Sequence, residues 1–583
     1  MTEPPAATDS RHMRFRSIVS IITVITVLAI LGSAGYARFA GLASGPFGGD
    51  ERYVVLHSLK FGTGDLNPRM FDWPASPFFY LTFACYGMLY VLGRASGVYG
   101  GTQAFALEYF SAPGTFYLIA RLESACFGLG CAALLYATSR QLRRDRLSGV
   151  IACLFSLSCP ILIQTSRAGL PDSAMTCFVV ATFLFCAKIA TSDRPKRLWY
   201  VFAGVSLGMA ASMKYNGAIA ALTVLSAHLY QTDGPVRFGI ILRALFDRRL
   251  WTAAGVSVLT FFITTPFAIL DSKTFLSDLS FQFANQSGRF EHVGITGRGR
   301  PFVALLGAIM PDGVGHWLWI LAVSALPLLA LRGKRDAALA VLTLPTALAY
   351  LVVAERSKIL MPHYIAPMAP LVCVLGAFTV VKAVGWMTRG AWPRAAIASL
   401  VVAAVVFNPL LSQVETARIA RVPGTHAAAA AWVKANLPPE TKIVPDDPLF
   451  NFVPSLKSVE RNLAAAVAEG YSGRADYYAG LKPLVADDHR NPHYDLYGLP
   501  SLESAEGFLD LLHSERVAYY LLSETILRRF AISADQPLSA KRLAFYRDLK
   551  AESTVVAEFR GDDITLKGPA IWIYRLPVSA RER

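Results

Sequence analysis

Charged side chains are scarce in this chain: 17% of its 583 residues are Asp, Glu, Lys or Arg, while 54% are hydrophobic. A soluble protein of this length cannot hide so much apolar surface, so the composition excludes an ordinary soluble globular protein. Cysteine is sparse and one-sided. Cys85, Cys126, Cys131, Cys153, Cys159, Cys177, Cys186 and Cys373 lie in or beside apolar segments, and none falls in the polar last third. That distribution excludes a disulfide framework or a cysteine zinc site in the tail. There is no GxGxxG after a strand and no Walker A sequence, so nucleotide-binding fingerprints are missing too. No solenoid-type repeat and no low-complexity tract is present. The net charge of +15 would suit nucleic acid, but Lys and Arg fall in short clusters between apolar runs. That pattern belongs to membrane topology, and no nucleic-acid partner is expected.

What is present is a series of apolar segments long enough to span a bilayer, starting near residues 17, 113, 147, 172, 198, 216, 250, 315, 337, 363 and 394. The expected fold is a polytopic α-helical membrane protein of about eleven crossings. Arg11, Arg14 and Arg16 precede the first segment, residues 17–39, which is too long for a signal-peptide core. With the N-terminus inside, alternate loops carry Arg140, Arg143, Arg144 and Arg146; Arg194, Lys196 and Arg197; Arg237, Arg243, Arg248 and Arg249; Arg332, Lys334 and Arg335; and Arg389 with Arg394. Every cluster then lies on the cytoplasmic side. Residues 77–93 are apolar as well, but a crossing there would turn the later clusters outward. That aromatic stretch is expected to lie at the outer interface. Residues 1–411 form the expected membrane domain, with a first outer loop at 42–112, and residues 412–583 an extracytoplasmic α/β domain. In that domain helices are expected at 425–437, 501–512 and 540–549, and strands at 442–444, 517–522, 554–559 and 570–576.

Charges stranded at outer helix ends are costly and usually have a task. Asp50 and Glu51 in PFGGDERY follow two glycines that permit a tight turn. Adjacent residues do not share a helix face, so one carboxylate can act as general base and the other as a metal contact or hydrogen-bond anchor. On spacing alone they could equally cap the next helix. Arg167 and Asp172 in RAGLPD end two consecutive segments, and Asp172 is also placed to cap a helix. Lys214, at the tip of the short turn in MAASMKYNGA, could hold a phosphate or snorkel to the interface. Outer loops add Arg289, Glu291, His292, Arg298 and Arg300, then Arg356, Lys358, His363 and Tyr364, which also suit solvated loops. Acid and cations on one side are what group transfer from a lipid phosphate requires: a base for the acceptor and positive charge for the leaving phosphate.

The order of these features resembles the GT-C glycosyltransferases, in particular the branch of protein O-mannosyltransferases, lipid A aminoarabinose transferases and RgtA/B/C/D-like proteins. GGDERYVVLHSLKFGTGDLNP is similar to the family's first outer loop and FDWPASPFFYLTF to its Pro-containing interfacial segment. TFYLIARLESACFGLGCAALLYATSRQL resembles the second crossing with its embedded Arg, here Arg121; SRAGLPDSAMTCF and GVSLGMAASMKYNG resemble later turns, and HYIAPMAPLVCVLGAF the late segment with two prolines. At His363 the family commonly carries Arg beside the tyrosine. THAAAAAWVKANLPPETKIVPDD and GPAIWIYRL look like the start and end of the outer α/β domain of bacterial members. The resemblance implies inverting transfer of one sugar from a polyprenyl-phosphate donor to a lipid, glycan or protein acceptor at a bacterial inner membrane. Asp50 then matches the base, with Glu51 as its partner or a divalent-metal contact. Lys214, Arg167, Arg121, His363 and Tyr364 fall where donor or phosphate contacts lie, and Asp172 orients a neighbouring cation. A lipid-linked-substrate transporter or flippase, or transfer of another group on the same fold, is the alternative. A transporter would place charges near the bilayer midplane and often carry inverted repeats.

Overall fold

The computed structural model describes residues 7–231, 244–286, 305–329, 333–356, 361–388, 391–470, 472–497, 507–532, 534 and 537–577. The expectations at Arg237, Arg243, Arg289, Glu291, His292, Arg298, Arg300, Arg332, Lys358 and Arg389 lie outside these residues. The membrane part begins with α1 (Ala7–Phe39), α2 (Glu51–Lys60), α3 (Ser76–Ala95), α4 (Thr102–Ser111) and α5 (Pro113–Arg143). It continues with α6 (Arg146–Ser158), α7 (Pro160–Arg167), α8 (Asp172–Ala190), α9 (Arg197–Met213), α10 (Ala221–Tyr230), α11 (Arg248–Thr264) and α12 (Ser272–Gln286). It closes with α13 (His316–Leu329), α14 (Lys334–Arg356), α15 (Ala369–Met387) and α16 (Ala391–Ile419), which runs eight residues past Leu411.

Helix boundaries follow local chemistry. The Asp145 carboxylate accepts from Leu147 N to cap α6, and Asp247 caps α11 through Arg249 N. Pro160 cannot continue α6, so the chain bends by 57° into α7. Among the described residues seven helices are long and apolar enough to cross a membrane, or nine if each of two bent pairs is one span. Of the eleven expected crossings, those near 198, 216 and 250 are not among the nine, which instead include α3. Those segments form α9, α10 and α11, with 17, 10 and 17 residues. Seventeen residues rise about 26 Å, short of a hydrocarbon core of about 30 Å. Extended backbone at Lys214 ends α9, and a 3-10 turn, Tyr215–Ala220, precedes α10. Residues 77–93 fall within the single helix α3, which also passes the length and apolarity test.

Close packing of α9 on α11 rests on small residues. A Cβ on Gly204 would lie 2.5 Å from Ala253 O, and one on Gly208 2.4 Å from Ser257 O. Two glycines four residues apart let helix backbones approach without a side chain between them. At the end of the bundle carrying the basic clusters, buried Asp336 on α14 pairs with Arg143 of α5 and, at 2.9 Å, with Lys382 of α15.

The C-terminal part is a six-stranded mixed sheet covered on both faces. Its elements are α17 (Thr425–Asn436), β1 (Lys442–Pro445), β2 (Val453–Pro454), α18 (Leu456–Ala468), α19 (Ser472–Asp487) and β3 (His493–Leu496). Then come α20 (Phe508–Ser514), β4 (Tyr519–Ser523), α21 (Glu524–Ala531), α22 (Pro537–Glu552), β5 (Thr554–Phe559) and β6 (Ile571–Arg575). The strand order is β2-β3-β1-β4-β6-β5, parallel from β2 to β4 and antiparallel thereafter. Side chains alternate as the pleat requires. Val444, Tyr520, Leu522 and Tyr574 pack with Phe545, Tyr546 and Leu549 of α22. Ile443, Leu521, Ile571 and Ile573 pack with Ala429 and Val433 of α17. The expected helix at 501–512 overlaps α20, but residues 501–506 are outside the described residues.

Candidate active site

Asp50 stands just before α2 and is exposed, with no side-chain capping bond. The capping alternative therefore lacks the bond that would define it. The Asp50 charge is close enough to act electrostatically on Lys214, His363 and Asp72. Glu51 is held quite differently. Its Oε1 accepts from Arg121 Nε at 3.0 Å and from Gly169 N at 2.6 Å, and its Oε2 accepts from Arg121 Nη2 at 2.6 Å. The adjacent acids thus have separate tasks: one is free toward solvent and the other is an anchor.

Arg121 projects from α5 and gathers the loop between α1 and α2 around it. Besides Glu51, it donates to Leu42 O, Ser44 O and Pro46 O, each at 2.9 Å. All five N–H groups of the guanidinium are engaged. Arg167, at the end of α7, donates to Ala37 O at 2.6 Å and Ala40 O at 2.8 Å, two carbonyls at the C-terminal end of α1. The two glycines before Asp50 have positive φ, 150° at Gly48 and 58° at Gly49. A Cβ on Gly48 would lie 2.5 Å from Pro448 O, so the loop turns against the C-terminal domain where no side chain fits.

Lys214 and Asp172, forty-two residues apart, form an ion pair at 2.8 Å. Asp172 is buried at the start of α8, so the ammonium is fixed by a carboxylate with little freedom of its own. Lys214 Nζ also lies 5.5 Å from the Tyr364 ring centroid, within cation–π range. His363 is half-buried beside Tyr364, ring centroids 4.8 Å apart, on the 3-10 turn Pro362–Ile365. Asp50, Lys214, Asp172, His363 and Tyr364 therefore share one neighbourhood, while Glu51, Arg121 and Arg167 form the scaffold beside it.

Asp72 was not singled out by sequence, since it hides in the Pro-containing segment FDWP. Burial, reinforced by neighbouring Asp278, pushes its carboxyl up to about 7. Asp278 in turn accepts from Phe71 N at 2.7 Å, and Tyr215 OH donates to Phe71 O at 2.6 Å. Lys567, on the loop before β6, donates to Ala420 O. Burial, aided by Arg121 and Arg167, lowers its ammonium to about 8. For a divalent cation, the donor set does not fit at Glu51, whose two oxygens already serve Arg121 and Gly169. Among the described residues no group of three or more His, Cys, Asp or Glu could hold a metal ion.

The polytopic helical bundle followed by a terminal α/β domain is an architecture that this chain shares with solved structures. The model of the dolichyl-phosphate-mannose-protein mannosyltransferase family, PMT, matches residues 86–237. Among solved structures the chain is similar to ArnT from Cupriavidus metallidurans bound to undecaprenyl phosphate. There the identity is 14% and the TM-score 0.52, over 96% of this chain and 98% of that one. The apo form of the same protein matches at 15% identity and TM-score 0.52, over 94% and 97%. No curated protein matches the chain.

Proposed function

We propose that this chain transfers a single sugar from a polyprenyl-phosphate carrier to an acceptor hydroxyl or amine on the extracytoplasmic face of a bacterial inner membrane. Asp50 takes the acceptor proton as the acceptor attacks the anomeric carbon. The bond from that carbon to the phosphate oxygen breaks, and the phosphate leaves with the electron pair. One such displacement inverts the anomeric centre. Lys214, fixed by Asp172 and beside Tyr364 and His363, stabilises charge on the departing phosphate. Glu51 and Arg121 keep the loop that carries Asp50 in place, so we assign them positioning rather than contact with the donor.

The observation that carries this reading is the free Asp50 carboxylate within electrostatic reach of the fixed Lys214 ammonium. A base for the acceptor and a cation for the leaving group are then present together. The reading takes α3 as a helix at the outer interface, the N-terminus as cytoplasmic and residues 412–583 as extracytoplasmic, which keeps the basic clusters inside. Asp50→Asn keeps the size of the side chain and removes the base. Turnover of a polyprenyl-phosphate sugar by the purified protein should fall by about 10² to 10⁴, with folding and donor binding retained. Near-normal turnover would remove Asp50 from the mechanism, and use of a nucleotide sugar in place of the lipid would overturn the donor assignment.

A further inference from the structure

A cavity of about 480 Å³ lies between the first turns of α7, the start of α13 and residues 405–413 of α16. It exists because of two local breaks. The helical segment 305–314 turns by 120° into α13 at Gly315, whose φ of 96° suits glycine. Opposite, Pro409 interrupts α16 and removes the bond that Val405 O would otherwise accept. A Cβ on Gly315 would stand 3.4 Å from Pro409, so the breaks face each other across the cavity.

The lining is unusual for a membrane helix. Asn408 and Ser412 lie four residues apart on one face of α16, inside the apolar segment Pro393–Ile419, with Gln413 beside them. Gln164 faces them from α7. Among the described residues these four side chains have no hydrogen-bond partner. Gln413 is only 6% exposed. Gln164, Asn408 and Ser412 are exposed, and the three carboxamides offer both donors and acceptors. Polar side chains within a spanning segment usually serve a function.

The chemistry of the lining narrows the ligand. Among the described residues no Lys or Arg lines the cavity, and an Asp312–His316 pair, 3.5 Å apart, stands at its rim. This environment disfavours phosphate and other anions. Trp317, 59% exposed, offers an apolar ring face beside the amides. Carboxamides, a hydroxyl and an indole face together suit a neutral polyhydroxyl ring. A segment beside the cavity reaches the turn next to the candidate active site. Gly313 packs against Ile365, on the turn that bears His363 and Tyr364, and α7 ends in Arg167.

We propose that this cavity binds a neutral sugar unit of the acceptor, whether from a soluble glycan or from a glycolipid headgroup. The proposal rests on the transferase reading, but binding can be tested without the donor. The full chain in nanodiscs is titrated with methyl α-mannoside and methyl arabinofuranoside, and saturation transfer to the sugar protons is recorded. A second arm places a monoglycosyl diacylglycerol in the nanodisc. Binding should weaken at least tenfold in Asn408→Leu/Gln413→Leu, and Gln164→Leu on the opposite wall should act in the same direction if the double variant folds poorly. Signals in the first arm identify a soluble glycan and signals in the second alone a glycolipid; either supports the proposal. Absence of binding in both arms, or binding indifferent to all these substitutions, overturns it. In turnover assays the variants should raise KM for the acceptor and leave KM for the donor unchanged. If Asp50→Asn stays active while the cavity binds sugar, the catalytic reading fails and the site survives.

Discussion

Glu51→Gln separates the two members of the acidic pair most sharply, because the expected damage can be worked from the contacts. The carboxylate receives three hydrogen bonds, two from a guanidinium that is itself buried. Gln removes the charge and turns one acceptor into a donor, which then meets an Arg121 N–H head-on. Taking one partner from a buried pair costs about 3–5 kcal/mol. The side chains keep 10% and 13% exposure, so the lower end, about 3 kcal/mol, applies. Thermal unfolding of the purified full chain in detergent measures this. Asp50→Asn in the same assay should stay within about 0.5 kcal/mol of the parent, since no hydrogen bond is lost. The two neighbours should thus show opposite signatures, stability lost at 51 and turnover lost at 50. A Glu51→Gln protein that melts with the parent would refute the anchoring role, and the base would then have to be sought at both positions.

Lys214→Gln retains a hydrogen-bond donor for Asp172 but removes the charge, so KM for the donor should rise more than KM for the acceptor; an unchanged donor dependence would return Lys214 to an interfacial role. Asp446 lies at the end of β1, where burial raises its carboxyl from 3.8 to about 7. A raised acid stabilises the fold below about pH 4 and loses that contribution as pH rises through 7. Asp446→Asn should therefore raise the melting temperature at pH 8 and flatten its dependence between pH 5 and 8; Asp72, shifted the same way, leaves a residual slope. A melting curve of unchanged slope would refute the burial of that charge. A reporter fused after Arg144 should be cytoplasmic and one fused after Leu437 exported, and the same side for both would refute the proposed orientation.

Much of the site was legible because its residues are polar in an apolar setting. Asp50, Glu51, Asp172 and Lys214 stand out for that reason, and the Lys214–Asp172 pair joins two residues that the sequence marks separately. Separate tasks for the acidic pair were expected from its spacing, but the anchor that Glu51 meets was not legible, since it is a guanidinium seventy residues away. Asp72 was hidden by neighbours that read as a proline turn. In the tail, α17, α22, β1, β5 and β6 follow recognisable apolar patterns. By contrast β2 has two residues, one a proline, and α19 contains both Gly480 and Pro483. Such segments are made by what they pack on. Crossing count was hardest, because α9 and α11 are short and a single Lys214 breaks the run between α9 and α10.

The contacts of α19 explain why the α/β domain belongs with the catalytic proposal rather than hanging beside it. Asp476, buried on that helix, has His57 Nδ1 at 3.1 Å, Arg69 Nη1 at 3.2 Å and Lys60 within bonding distance. Burial alone would raise its carboxyl, but His57 and Lys60 more than offset this and hold it below the ordinary range. His57 and Lys60 lie on α2, the helix that Asp50 begins. Tyr477 packs its ring on Tyr53 of the same helix at 5.5 Å. The short α2 is therefore gripped by the C-terminal domain along its length. Its first residue is gripped by Arg121 and Gly169 of the bundle, and Gly48 turns beneath Pro448. A carboxylate on so short a loop could wander; here its position is determined from both sides. The free Asp50 side chain thus sits on backbone held from both sides, which is the condition a fixed general base requires.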